Sequence, residues 1–322
     1  MNVTIKDIAA EAELSPATVS AYLNGARVRA ENRDAIECAI TKLGYIRNDY
    51  ARALKTRRSR TVGVIIYDLS DAFAAGVSAA IEETLAQAGY GILICDCKNT
   101  GKTLTETVRF LISKMVDGLI VIMPDSTDGR CLDAAVRQKI PVVVVDRLMD
   151  RDDITQIVLN NREAAAGAVR MFLSGGHRDV AIITGSREIY THAERLAGFC
   201  EALAQAGRKP SAIVDGELTV EGGFRAAKTI LTEAPQTTAV LVTSYLMTVG
   251  AVFGFGDRPI ACAGFDNKAF SAAVRPDLAA VEQPKEEMGR LAAQRILAAA
   301  AGESYAPGVI TLCAGMYSFE GT

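Results

Sequence analysis

Tryptophan is absent from the 322 residues, and histidine occurs only as His177 and His192. Histidine is the usual general base and metal ligand, so its scarcity works against hydrolytic or metal-centred chemistry. No apolar run reaches the roughly 18 residues that a membrane helix needs. The first turns carry Lys6, Asp7, Glu11 and Glu13 among their apolar positions, a pattern foreign to a signal peptide, so a cytoplasmic location is expected. The cysteine count, seven, is odd and the spacing forms no framework, which implies reduced thiols. Cys95 and Cys97 make a Cys-x-Cys without further metal-ligand partners, and a buried strand end is the simpler reading. No strand-turn-helix carries G-x-G-x-x-G, no G-x-S-x-G elbow occurs, and Gly250, Gly254 and Gly256 have the wrong spacing for a dinucleotide loop. Neither an enzyme nor a cofactor or metal site is expected.

The composition, 49% hydrophobic and 23% charged, is that of an ordinary globular protein, and the length suits one small and two medium domains. The net charge of −3 is unevenly spread. The first 60 residues hold 11 Lys and Arg against 7 Asp and Glu, whereas the remainder holds 24 against 31. A basic tip on an acidic body suggests that only the tip meets a polyanion.

Within that tip, Ile5, Ile8, Ala9 and Ala12 fall on one helical face, and Thr4 with Asp7 forms a capping signal at its start. Ser15-Pro16 opens a second helix with Val19 and Leu23 inward, and Asn24-Gly25 ends it. Ile36, Ala39, Ile40 and Leu43 define a third helix, ended by Gly44. Two helices joined by a turn of about three residues and backed by a third make a helix-turn-helix. Its second helix would lie in the major groove with Ser15, Pro16, Ala17, Thr18, Ser20 and Ala21 at the contact surface. Periodicity alone also permits a plain three-helix bundle.

From Thr61 onward, the apolar runs VGVIIY, GILIC, GLIVIM, PVVVV, VAIIT, AIV, AVLVT and PIACAGF alternate with amphipathic stretches. Strands without polar alternation are covered on both faces, which means parallel sheets between helices. Two sets of β-α repeats meeting near Asn160 imply two doubly wound lobes. Ligands of such sheets sit beyond the carboxyl ends of strands. The candidates by that rule are Asp146, Ser244, Asp266 and the segment from Asp68 through Asp71 to Phe73. The alternative for each is a structural cap or half of a surface ion pair.

The segments TIKDIAAEAELSPATVSAYLNG and ENRDAIECAITKLGYIRNDYARALKTRRSRTVGVI resemble the head, linker and first core strand of the LacI/GalR family. The resemblance continues in order through VDGLIVI, IPVVVVDR, NNREAAAGAV, GGHRDVAIITG, ERLAGF, VEGGFRAAK, AGFDN and EQPKEEMGRLA, covering nearly the whole chain. It implies a head at 1–46, a hinge helix and linker at 47–60 and an effector-binding core at 61–322 of periplasmic-binding-protein-like fold. The first lobe is expected at about 61–160 plus 286–305, and the second at about 161–285 plus 306–322. It further implies DNA contacts from Thr4 and Asn24 as well as the second helix, and from Asn48, Arg52, Leu54, Lys55 and Arg57 in the hinge. Leu54 would wedge into the minor groove while its basic neighbours neutralise phosphates, though a basic linker with a buried leucine is the alternative. Effector contacts are implied at Asp146, Arg195, Asp266 and Gln283, with Phe73 as an apolar wall. Carboxylates, a guanidinium and a ring suit a hydroxyl-rich ligand such as a sugar.

The sequence departs from the family pattern in places. Ala21 stands where an arginine usually reads guanine, so direct readout shifts to thymine methyls, hydroxyls and DNA shape. Arg29 replaces a serine cap, and Arg47 a proline before the hinge. In the core, Ser244-Tyr245 replaces an Asn-Asp pair, and Leu218 stands where an aromatic is frequent. The expectation is a homodimeric transcriptional repressor that binds double-stranded operator DNA under the control of a small, sugar-like effector, with no membrane association. An exported solute-binding protein shares the core but has no basic head.

Overall fold

The computed structural model describes residues 3–45, 58–98, 103–123, 129–266, 268, 278–303 and 306–317. The chain divides into two compact units, Met1–Ser59 and Arg60–Thr322.

The first unit contains helices α1 (Ile5–Glu11), α2 (Pro16–Leu23) and α3 (Ala30–Leu43). Ile8, Ala9, Val19, Ile36 and Ala39 form its buried core, with Leu14, Leu23, Ile40 and Leu43 packed around them. So small a core needs help at its edges. Asp7 Oδ2 accepts from the Thr4 amide at 2.8 Å and from the Thr4 hydroxyl at 2.7 Å, closing the start of α1. Lys42 reaches Glu11 at 2.6 Å and Tyr22 donates to Glu37 at 2.6 Å, tying α3 to the other two helices. The α3 N-cap, Arg29, offers no side-chain hydrogen bond, whereas Gly44 closes that helix in the left-handed region at φ 60°. Asn48, Arg52, Leu54, Lys55 and Arg57, and with them the hinge expectation, lie outside the described residues.

The second unit is built on two six-stranded sheets. One has the spatial order β11-β5-β4-β3-β1-β2, formed by Thr61–Ile66, Gly91–Asp96, Gly118–Ile122, Val142–Val145, Thr155–Leu159 and Gly308–Leu312 for β1 to β5 and β11. The other, β12-β10-β9-β8-β6-β7, comprises Val180–Thr184, Ile213–Asp215, Ala239–Val242, Ala261–Phe265, Ala279–Glu282 and Gly315–Tyr317 for β6 to β10 and β12. The two orders are the same pattern repeated. All pairings are parallel except β10 with β12, an antiparallel edge.

Helices cover both faces of each sheet, which is why the central strands carry no alternation and are buried throughout. The first sheet is flanked by α4 (Ala72–Gln87), α5 (Leu104–Ser113) and α6 (Asp133–Arg137) and, from far along the chain, by α11 (Lys285–Ala301). The second is flanked by α7 (Asn161–Ser174), α8 (Tyr190–Gln205), α9 (Val220–Glu233) and α10 (Tyr245–Phe255).

The chain passes between the lobes at Asn160, at Gln283-Pro284 and at Cys313-Ala314. Asn160 ties two of these passages together: its amide donates to Leu312 O and its Oδ1 accepts from the Ala314 amide, both at 2.9 Å. The lobe boundary expected at 306 is therefore corrected. Residues 308–312 extend the first sheet beside β5, and only β12 belongs to the second. The run GVITLCAGMYSF reads as one strand, but its two halves hydrogen-bond to different sheets and the break falls at the passage itself.

Candidate functional site

On the head, the exposed end of α2 is its N-terminus. The Ser15 hydroxyl accepts from the Thr18 amide at 3.1 Å and lies 2.9 Å from the Thr18 hydroxyl, so these two side chains are engaged with each other at the helix start. Ser15, Pro16 and Ala17 are exposed, Thr18, Ser20 and Ala21 half-buried, and Val19 is fully buried in the core. Val19 is the one buried residue of α2, so the rest of the helix is at least partly open, and its start presents the hydroxyls of Ser15, Thr18 and Ser20 beside the apolar Pro16, Ala17 and Ala21. Asn24 Nδ2 donates to Ser20 O at 2.8 Å and closes the other end. Thr4 is exposed at the start of α1.

In the core, the carboxyl ends of both sheets border a cavity of about 200 Å³. Asp71, Phe73, Asp146, Arg195, Leu218, Ser244, Tyr245, Asp266 and Gln283 all line it, although they come from segments spread over more than 200 residues. Their hydrogen bonds separate them into supports and open groups. Asp71 caps α4, accepting from the amides of Phe73 and Ala74 at 3.1 and 3.4 Å. Ser244 caps α10 through Met247 N at 3.4 Å. Asp266 accepts from the backbone amide and Nε2 of Gln283 at 3.2 and 2.6 Å, with Lys285 at 3.4 Å. These carboxylates and hydroxyls are largely committed to structure.

The open groups are Asp146 Oδ1, Arg195 Nη2 and Gln283 Oε1, each buried without a hydrogen-bond partner. Arg195 is fixed on its other sides. Its Nε donates to Asn161 Oδ1 and its Nη1 to Thr243 O, both at 2.7 Å, and its guanidinium carbon lies 3.7 Å from the Phe265 ring centroid. No ion pair within 4.0 Å joins Arg195 to Asp146 among the described residues. A buried carboxyl and a buried guanidinium, each with an unused hydrogen-bonding atom beside the same cavity, suit a ligand that bridges them.

Asp146 and Asp266 hold matching places in the two lobes. Each follows a strand, β4 or β9, and each adopts left-handed backbone, at φ 61° and 56°. Each donates its amide to the neighbouring strand, Asp146 to Ile157 O at 2.8 Å and Asp266 to Val281 O at 2.9 Å. Aspartate tolerates this region better than most residues. The turn redirects the side chain from the sheet edge toward the cleft.

Burial pushes the Asp146 carboxyl up to about 7, reinforced by the Asp266 and Asp71 carboxylates and opposed by Arg195. Burial likewise draws Arg195 below its ordinary value, against the two aspartates. A carboxyl whose folded pKa exceeds its unfolded one folds with no penalty while protonated, and stability is lost as pH rises toward the folded pKa. Asp146→Asn should therefore stabilise the ligand-free protein over the parent by an amount that grows from about pH 4 to about pH 7, reaching roughly 2–4 kcal/mol and then levelling off. Urea unfolding of both proteins near pH 5 and pH 8 checks this; an equal difference at the two values would contradict it.

Thr191, His192 and Thr243 also line the cavity, as does Lys98 paired with Asp68, and Asn161 anchors Arg195 behind it. Thr191, His192, Thr243, Lys98 and Asn161 were not among the residues expected from the sequence. A signal existed for two of them: His192 stands one helical turn before Arg195, and Thr243 directly precedes Ser244 at a strand end. Among the described residues, no group of three or more metal-ligating side chains occurs and no helix is long and apolar enough to cross a membrane.

The comparisons with known proteins fall on the same two regions. Residues 4–48 match the bacterial regulatory proteins of the lacI family, and residues 59–310 match the periplasmic binding proteins and sugar binding domain of that family. Catabolite control protein A of Priestia megaterium is 32% identical over 302 residues, covering 91% of each chain. The HTH-type transcriptional repressor PurR of Erwinia tasmaniensis is 32% identical over 304 residues, covering 91% of this chain and 89% of its own. The solved structure of the lac repressor dimer bound to operator and the anti-inducer ONPF superposes with a TM-score of 0.88 at 25% identity, over 98% of both chains. The three-helix head and the twin-sheet core thus each match known counterparts, and the chain belongs to the LacI family of bacterial regulatory proteins.

Proposed function

We propose that this protein is a cytoplasmic transcriptional repressor whose grip on an operator is set by a small hydroxyl-rich molecule, a sugar or sugar derivative, bound in the core cleft. The observation that carries the ligand half is the trio of unused buried atoms on Asp146, Arg195 and Gln283 around one cavity. Two acceptors and one fork donor suit vicinal hydroxyls, and the Phe73, Leu218 and Tyr245 side supplies a wall for the C–H face of a ring. The DNA half rests on the family match over residues 4–48 and on the exposed start of α2. In this reading Ser15, Pro16, Ala17, Thr18, Ser20 and Ala21 face base edges, with Thr4 and Asn24 on the backbone. Asn48, Arg52, Leu54, Lys55 and Arg57 form the hinge contact, with Leu54 as the wedge. Regulation of this kind needs no catalytic group.

A near-palindromic operator calls for two heads, and the lac repressor structure is described as a dimer. On this chain α9 and α10 leave Phe224, Leu246 and Phe253 exposed, Phe253 at 60%. We place the contact between two copies there. Phe253→Glu is expected to turn dimers into monomers in sedimentation and to weaken operator retardation at least tenfold, because a single head forgoes half of the phosphate and base contacts. Mobility shifts with fragments of the source genome, run with and without a panel of sugars, test the whole reading. Specific retardation altered by a sugar supports it; retardation of all fragments alike would overturn it.

A further inference from the structure

One buried ring at the cavity carries a nitrogen with no role so far. His192, on α8, is 4% exposed and lines the cavity one turn from Arg195. Its Nδ1 lies 2.8 Å from the Thr243 hydroxyl, which is itself aligned to donate to Thr184 Oγ1 at 3.5 Å. Thr243 has a single hydroxyl proton. If that proton points to Thr184, the bond to His192 must be donated by Nδ1–H, and Nε2 keeps a bare lone pair. Nε2 lies on the side of the ring that faces Leu218 and Gly185, and it makes no hydrogen bond to the described residues. The pocket also shows why a ring fits here: a side chain at position 185 would meet the imidazole at 2.9 Å, so glycine leaves it room.

We propose that His192 is a specificity-determining residue of the cleft, its tautomer set by Thr243, reading a hydrogen-bond donor on the effector through Nε2. This rests on the cleft being the effector site. Burial and the adjacent Arg195 guanidinium draw the imidazole down to about 3, so it stays a neutral acceptor through the physiological range. Among the unpartnered atoms of the described residues here, His192 Nε2, Gln283 Oε1 and, once ionised above about pH 7, Asp146 Oδ1 accept, and Arg195 Nη2 donates. A ligand must bring mostly donors to this corner. Hydroxyls do so; a phosphate or carboxylate, which offers only acceptors, does not. The class selected is an uncharged polyol with at least one hydroxyl donated to His192.

The test uses isothermal titration of the full chain with D-glucose, D-galactose, D-ribose, D-xylose and cellobiose, their deoxyfluoro analogues and their terminal phosphate esters. Fluorine accepts but cannot donate. For a sugar that binds the parent, fluorination at one position should weaken binding about tenfold, and that penalty should vanish in His192→Phe and persist in His192→Gln, whose amide oxygen can take the place of Nε2. The phosphate esters should bind neither. Because the chain has two histidines, nitrogen–proton correlation spectra read the tautomer directly, with Nδ1 of His192 protonated. An unchanged fluorination penalty in His192→Phe, or a proton on Nε2, overturns the inference and leaves the cleft reading standing. If no sugar binds the parent, the cleft reading falls and this inference with it.

Discussion

Arg195→Met is expected to abolish effector binding at ordinary concentrations and to remove about 3–5 kcal/mol of core stability. The side chain is the hub of the cleft: one nitrogen holds Asn161, another holds the Thr243 carbonyl, the plane stacks on Phe265, and the last nitrogen faces the cavity. Methionine fills the volume but leaves the Asn161 amide oxygen and the Thr243 carbonyl without donors, and Asp146 without its only favourable charge. Arg195→Lys retains the charge and should recover part of the stability and little of the binding, since one ammonium cannot span both acceptors and still stack. Urea unfolding and calorimetric titration separate the two losses. A Met variant as stable as the parent would show that the guanidinium is not integral to the lobe, and a Lys variant with parental affinity would remove its fork geometry from the explanation.

The other large effect is expected at a residue with no polar chemistry. A β-carbon on Gly250 would lie 1.8 Å from the Val220 carbonyl oxygen and 2.7 Å from the Phe224 amide nitrogen. Both are backbone atoms, so neither can rotate away. Gly250→Ala should separate α9 from α10 and cost about 4 kcal/mol or more, at the upper end of single substitutions. Gly91→Ala is the control: nothing lies within 4 Å of its added carbon, and a change below about 1 kcal/mol is expected. Thermal unfolding of the three proteins decides the matter. A Gly250 variant close to the parent would mean that the helix pair can re-space.

These glycines also mark how far the sequence could be read. The element types, the twin-sheet architecture and the caps at Thr4, Ser15 and Gly44 follow from local chemistry: apolar runs, a hydroxyl before a proline, a glycine after the last apolar position. The glycines of ERLAGF and VEGGF were visible as motifs, but their reason was not. Gly198 sits against the Arg162 carbonyl and Gly223 against that of Met247, close approaches between helices that no local pattern encodes. For the same reason Asp71 and Ser244 stood out as cleft residues while their capping duties did not. Asp146 and Asp266 were found because a strand end is a sequence feature. His192, Thr243 and Asn161 were missed because their importance lies in whom they touch across 34 to 51 positions of chain. The misplaced boundary at 306 has the same origin, since partners of an edge strand are chosen in space.

The third passage between the lobes, at Cys313-Ala314, has a consequence for how the protein is made. β11 forms one edge of the first sheet and β12 one edge of the second, and α11 covers a face of the first sheet against α4. When residues 1–280 have been translated, the three-helix head is complete, but the first lobe still lacks β11 and the helix that covers one of its apolar faces, and the second lacks β12. The head, whose core comes entirely from the first 45 residues, can fold as soon as it emerges. During synthesis the head thus exists well before the core, whose two lobes each receive their last strand from the one short stretch that holds β11 and β12.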